Sequence, residues 1–209
     1  MDFSEIVKSR RAASFFDPSK PVPQETLKRL VEMAAQTPSS FNFQPWSLVA
    51  LENSEDKARL RKLAMDQPKI TDAPLVLLVL GDRDAWKKGS EPFETNFDKM
   101  VEAGMPKEQY GWLADTAAKL YGQSEEAQQA FACKNAGFFA MSLMYAAKSL
   151  GLESHPMDGF DHDAVKKEFH IPDNYWIPLL IAVGYFDRSK EYPKAKWRKS
   201  FEDLVVAFS

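Results

Sequence analysis

The sequence predicts one domain of mixed helices and strands. Three observations lead there. Continuous apolar runs of strand length occur at 46–51, 74–81 and 176–185, the pattern of strands buried on both faces. Stretches of helical period lie between them, at 24–36 and 126–150. The 209 residues are 44% hydrophobic and include fifteen phenylalanines, enough for one sizeable core.

Charge and composition exclude several functions. A net charge of −3 and a pI near 5.7 argue against a general nucleic-acid binder, which carries a basic face. Met1-Asp2-Phe3-Ser4-Glu5 is not a basic leader and no apolar segment follows it, so no signal peptide is expected. No apolar run reaches the ~18 residues of a membrane span. Cys133 is the sole cysteine and cannot form an internal disulfide. The expected compartment is the reducing cytoplasm.

The elements follow in order. Phe3, Ile6 and Val7 suggest a short helix over 3–9. The Arg10-Arg11 pair comes next, then Pro18, Pro21 and Pro23. The pair is either solvated or a phosphate clamp, since guanidinium groups bind phosphate through paired hydrogen bonds. Leu27, Leu30, Val31, Ala34 and Ala35 mark an amphipathic helix over 24–36. A strand over 46–51 precedes a helix to about residue 64, with Ser54 as its expected N-cap. The run at 74–81 predicts a strand buried on both faces. Residues 82–125 are polar with scattered aromatics, and read as helices and loops, a possible lid. The stretch 126–150 is the longest helix, apolar nearly all round and ended by Gly151. A turn is expected over 155–161, with Asp161 capping a short helix. Residues 176–185 form a strand despite Pro178. Residues 201–208 could form a final strand with no local partner.

One loop organises the rest: Thr37-Pro38-Ser39-Ser40-Phe41-Asn42-Phe43-Gln44-Pro45-Trp46. Pro38 and Pro45 exclude a continuous helix. Between them Ser39, Ser40, Asn42 and Gln44 offer neutral donors and acceptors. A turn built of turn-formers explains this composition, and so does a binding loop for a planar, heteroatom-rich ligand. Other chemistry is not visible. There is no G-x-G-x-x-G or Walker loop. Ser54-x-x-Lys57 lacks the partner motifs of acylating enzymes. His155, His162 and His170 have no metal-ligand spacing, and Cys133 sits in an apolar helix as a small hydrophobe. Two basic clusters far apart in sequence and a polar loop suit a bound anionic cofactor better than acid/base catalysis by side chains.

Pro38-Ser-Ser-x-Asn-x-Gln-Pro-Trp46 resembles the signature of the FMN-dependent nitroreductase family. The order of parts along nearly the whole chain agrees: Arg10-Arg11, that loop, Lys69 ahead of Asp72-Ala73 and a strand, Gly151-Leu-x-x-x-Pro-x-x-Gly-Phe160, Val183-Gly184-Tyr185, and Lys196-x-Arg198. It looks closest to the oxygen-insensitive, enteric-type NAD(P)H enzymes. The resemblance implies an α+β fold: an α-β-α sandwich with a mostly antiparallel central sheet and a C-terminal strand exchanged in a homodimer. It implies FMN at the subunit interface and NADH or NADPH as donor. It implies ping-pong, two-electron reduction of nitroaromatics, quinones or similar flat acceptors. Enone reduction, reductive dehalogenation, flavin reduction, or flavin binding without turnover remain as alternatives on the same fold.

Residue by residue, the resemblance puts the FMN phosphate near Arg10, Lys196 and Arg198, with Arg11 in the same motif but turned elsewhere. Pro38, Ser39, Ser40, Asn42 and Gln44 meet the flavin from the partner subunit. Lys69 falls near flavin N1 and O2. The backbone at Asp158 and Gly159 aligns with the amides facing N5 and O4, with Pro156 and Met157 counted beside them as cofactor-site positions. Three positions depart from the family pattern. Ala12 stands where a phosphate-holding serine is usual, Ser14 where a basic residue is usual, and Asp66 where asparagine is usual. Ser14 and Asp66, counted among the cofactor-site positions, are expected to lower the flavin potential, because negative charge gathers at the N1/O2 edge on reduction.

Overall fold

A computed structural model describes residues 2–207. The elements in chain order are α1 (Phe3–Ser9), α2 (Gln24–Ala34), β1 (Trp46–Leu51), α3 (Ser54–Leu63), α4 (Lys69–Asp72), β2 (Leu75–Asp82), α5 (Glu91–Glu102), α6 (Gln109–Tyr121), α7 (Glu125–Ser149), β3 (Glu153–Met157), α8 (His162–Glu168), β4 (Tyr175–Gly184) and α9 (Phe201–Leu204). A 3-10 turn over Ser40–Asn42 lies inside the organising loop.

The four strands form one antiparallel sheet in the order β1-β2-β4-β3. Successive side chains of a strand point to opposite faces, and β2 uses both. Leu75, Leu77 and Val79 pack with Leu30 of α2 and Phe139 and Leu143 of α7. Val76, Leu78 and Leu80 pack with Leu60 of α3, Ile70 of α4 and Val165 of α8. Each fully buried leucine stabilises the fold by about 1.5–3 kcal/mol. The result is the α-β-α sandwich that the resemblance implies. A third apolar cluster sits beside the sheet, where Phe93 and Phe97 of α5 and Leu113 of α6 pack with Phe43 and Phe131. The stretch 82–125 therefore has a core of its own.

Helix α7 is the spine. Ser124 caps it by accepting from the Ala127 amide, and Glu125 and Glu126 occupy its first turn, where negative charge complements the helix dipole. Gly151, at φ 78°, reverses the chain in a conformation that costs glycine little. The backbone of α7 lies against β2 at Gly81, where an added Cβ would stand 3.0 Å from the Ala132 carbonyl oxygen.

The structure differs from the sequence-based expectation at three places. Asn53, not Ser54, caps α3: its side chain accepts from the Asp56 amide at 2.7 Å. Residues 153–157, partly expected as turn, form strand β3. Pro156 is tolerated there because β3 is the last strand of the sheet, where a missing amide proton matters least. Residues 201–204, expected as strand, form α9. Ser200 and Asp203 make a capping box, and among the described residues no strand pairs with this segment. Phe208 lies outside the described residues. Pro178 sits in β4 at the point where the pairing with β2 shifts register and before the pairing with β3 begins, so it interrupts no regular ladder on either side.

Replacing Asn53 by alanine should cost about 1 kcal/mol, and Ser54→Ala much less. Urea unfolding of the two variants checks this, and equal losses would return the cap to Ser54.

Candidate functional site

The organising loop is strained and held from three sides. Phe41, Asn42 and Gln44 adopt φ of 50°, 60° and 47°, a region that non-glycine residues enter at a cost. Its entrance is tied to α7 by Thr37 Oγ1 donating to Ser142 Oγ at 2.6 Å. In its middle the Ser40 amide donates to Asn135 Oδ1 at 3.0 Å, and Lys134 Nζ reaches Ser40 Oγ at 2.7 Å. Asn96 of α5 donates to the Phe41 carbonyl and accepts from Asn42 Nδ2. Its exit is fixed by Trp46, stacked on Phe139 with ring centroids 4.9 Å apart. Within the loop, Ser39 Oγ accepts from the Gln44 amide. Pro38, Asn42 and Gln44 are exposed, while Ser39 and Ser40 are half-buried. Asn42 and Gln44 border a cleft of about 280 Å³.

The cationic residues gather elsewhere. Arg10, Arg11, Lys196 and Arg198 line one cleft of about 400 Å³, with Ala12, Lys8, Lys194 and Tyr145. Arg11 is committed to the end of α1, donating through Nη1 to the Lys8 and Arg10 carbonyls at 2.7 and 2.9 Å. Its Nε is buried and has no hydrogen-bond partner among the described residues. Arg198 Nη1 donates to its own segment, at the Trp197 carbonyl, 2.8 Å away. Three cations beside an orphaned donor fit a phosphate.

His155 joins this cleft to Lys69. Its Nδ1 lies 2.7 Å from the Ala13 carbonyl, so that nitrogen carries the proton. Burial pulls its pKa down, and the neighbouring charges of Lys69 and Lys196 pull it further, against the Ala13 hydrogen bond. Lys69 of α4 and Lys196 of the tail are thus both close enough for their charges to act on one imidazole. The loop after β3 completes this side. Gln67 Nε2 donates to the Gly159 carbonyl at 3.0 Å, and the Asp161 amide to the Leu63 carbonyl at 2.8 Å. Pro156 is half-buried and Asp158 exposed, but the Met157 side chain belongs to the core. Only its backbone can face a ligand, because its position in β3 points the side chain at α3, α4 and α8.

Ser14 is exposed. Asp66 is paired: Arg61 Nε donates to its Oδ1 at 2.6 Å, and its side chain is 81% exposed. Solvent and an adjacent guanidinium together screen that charge. The two halves of the site also stay apart. The cleft beside the loop and the cationic cleft share no lining residue.

A model of the Nitroreductase family matches residues 7–185. The chain belongs to the nitroreductase family. The Bacillus subtilis protein MhqN, assigned as an NAD(P)H nitroreductase, is 30% identical over 205 residues, covering 98% of each chain. A nitroreductase-like protein from Streptococcus mutans superposes with a TM-score of 0.87 at 27% identity, covering 100% of this chain and 98% of that one. A protein from Exiguobacterium sibiricum, assigned as a nitroreductase and solved in complex with FMN, superposes with a TM-score of 0.81 at 28% identity, covering 95% and 94%.

Several residues that shape this nitroreductase site were not visible as such in the sequence. Asn135 carried a signal that could have found it. It is a carboxamide on a helix whose neighbours are apolar, and a buried amide needs partners. It is 0% exposed, and its Nδ2 donates to the Phe131 carbonyl while Oδ1 holds Ser40. Asn96, Lys134 and His155 carried no comparable signal, because their partners lie far away in sequence.

Asn135→Leu should release the loop. The Ser40 amide should exchange with solvent faster, and stability should fall by about 1–3 kcal/mol, the cost of an unmade buried hydrogen bond. Hydrogen exchange read at Ser40 checks it.

Proposed function

We propose that this chain is an FMN-dependent NAD(P)H oxidoreductase that reduces nitroaromatics, quinones or similar flat acceptors in two-electron steps. The observation that carries the reading is the convergence of Arg10, Lys196 and Arg198 on one cleft in a member of a family with an FMN-bound relative of the same fold. Arg10, Lys196 and Arg198 hold the phosphate by charge-assisted hydrogen bonds. Lys69 stands at the N1/O2 edge, where its charge favours the reduced state. The backbone of Asp158 and Gly159 faces N5 and O4. FMN, when bound, would supply the redox chemistry, two-electron transfer between the nicotinamide and the acceptor. The chain supplies stacking and orientation, where proximity contributes most. Burial raises the Cys133 thiol pKa, which works against a thiolate there.

The separation of the two clefts supports a site shared between two copies of the chain. The strained loop of one copy covers the flavin held by the cationic cleft of the other. The apolar surface available for this is substantial. Phe138 on α7 is 52% exposed, and Trp197 and Phe201 in the tail are 77% and 73% exposed. The tail reaches the second copy as an arm bearing α9, not as an added strand.

The purified chain should be yellow and should bleach anaerobically with NADH or NADPH. Initial rates at several acceptor concentrations should give the parallel reciprocal plots of a ping-pong cycle. Replacing Arg10 and Arg198 together by alanine should weaken FMN binding by tenfold or more, each charge-assisted bond contributing about 1.5–3 kcal/mol. The loss should shrink at high salt. Flavin occupancy unchanged in the double variant would overturn the phosphate assignment.

Truncation after Lys199 should lower both dimer stability and flavin content, as read by sedimentation and absorbance. A monomer that retains its flavin would contradict the shared site.

A further inference from the structure

The segment that brings Lys196 and Arg198 to Arg10 has little to hold it. Among the described residues, 191–199 form no regular element and make no backbone-to-backbone hydrogen bond. After the turn in which the Lys190 amide donates to the Asp187 carbonyl, the next fixed point is a side chain, Tyr192. Its hydroxyl donates to Glu153 Oε2 at 2.9 Å and accepts from Lys148 Nζ at 3.0 Å. Lys148 and Glu153 are themselves paired at 2.5 Å, with side chains only 12% and 10% exposed. The Tyr192 ring lies edge-on to Phe186, and the Lys148 ammonium stands 5.1 Å from its centroid. The hydroxyl also lies 3.3 Å from the Ser9 carbonyl, one residue before Arg10.

A nearly buried ion pair is costly unless its remaining lone pairs and protons find partners. Tyr192 satisfies one on each ion. Burial alone would lower the Lys148 pKa, but its bonds to Glu153 and Tyr192 outweigh this and the net shift is upward, so the ammonium stays charged. One phenol therefore touches the end of α7, the start of β3 and the last residue of α1, and anchors the tail to all three. Lys196 lies four residues beyond it, a span of at most about 14 Å of extended chain.

We propose that Tyr192 is a positioning residue for the cofactor phosphate. Its hydroxyl, seated on the Lys148–Glu153 pair, holds the tail where Lys196 and Arg198 meet Arg10. Without that seat the arm must be ordered at the moment of binding, and the ordering entropy is subtracted from affinity. The effect is confined to the phosphate, because the flavin ring faces Lys69 and the loop after β3. This rests on the reading of the cationic cleft as the FMN phosphate site.

The test titrates the whole chain, stripped of flavin, with FMN and with riboflavin, which has the ring but no phosphate. Three proteins are compared: the unmodified chain, Tyr192→Phe and Arg198→Ala. Tyr192→Phe keeps the ring against Phe186 and removes only the hydroxyl. FMN affinity should fall about tenfold in Tyr192→Phe while riboflavin affinity stays unchanged. Trypsin should cut after Lys194 and Lys196 faster in that variant. If Arg198→Ala lowers the preference for FMN over riboflavin but Tyr192→Phe does not, the phosphate site stands and the positioning role is overturned. If Tyr192→Phe weakens both ligands equally, the residue is merely structural and the proposal fails. If Arg198→Ala leaves the preference unchanged, the phosphate reading itself fails, and the role of Tyr192 falls with it.

Discussion

The packing of α7 against the sheet is the constraint on which the rest depends. A helix of 25 residues rises about 37 Å at 1.5 Å per residue, and its buried face joins α2 and three of the four strands into one core. Everything that bears on function is referenced to it. The polar loop hangs from its middle through Asn135, Phe139 and Ser142. The tail is seated on its last turn through Lys148. Lys148 lies thirteen residues beyond Asn135, about 20 Å of rise, and six beyond Ser142, about 9 Å. The cleft beside the loop and the cationic cleft open at separate places along this rod and share no lining residue.

The separation of the two clefts is what the proposed two-copy site would bridge. A loop cannot reach along α7 without losing the bonds that give it shape, and those bonds support three residues at positive φ. Strain of this kind persists only where the surroundings over-determine the backbone. Here α5 and α7 do so together, through Asn96 and Asn135. The excursion at 82–125 thereby acquires a role: its helices bury Phe43 beneath the loop and brace the loop from the side that α7 leaves open.

Electrostatics is divided in the same way. Cations in the cleft are left with spare donors, while acidic groups nearby are already engaged. Asp66 is paired with Arg61 and Glu153 with Lys148. The resulting field favours an anion at the cleft. It also suppresses the acid/base role that His155 could otherwise play, since burial and two lysines disfavour its protonated form. The chemistry is thus left to a bound cofactor, and the chain's contribution is position and charge.

Much of this was legible in the residues themselves. The runs at 46–51, 74–81 and 176–185 and the helical stripes at 24–36 and 126–150 became β1, β2, β4, α2 and α7. Such patterns reflect burial averaged over a face, which any neighbour of the right polarity satisfies. The order of Arg10, the Pro38–Trp46 loop, Lys69 and Lys196-x-Arg198 carried the family membership, because motif spacing survives folding. What the chain alone left undecided were choices between partners. Ser54 was expected to cap α3, and the fold uses Asn53 instead. Residues 153–157 have poor strand residues and became a strand because β4 offered an open edge. Residues 201–204 were expected as part of a strand and form a helix, with Ser200 and Asp203 closing its first turn as a capping box. Asp66 read as a free anion until the fold set Arg61 beside it. Tyr192 and Asn135 gained their importance from groups 39 and 95 residues away. Local energies are written in the sequence, but a hydrogen bond or ion pair between distant residues exists only once the tertiary structure brings both ends together.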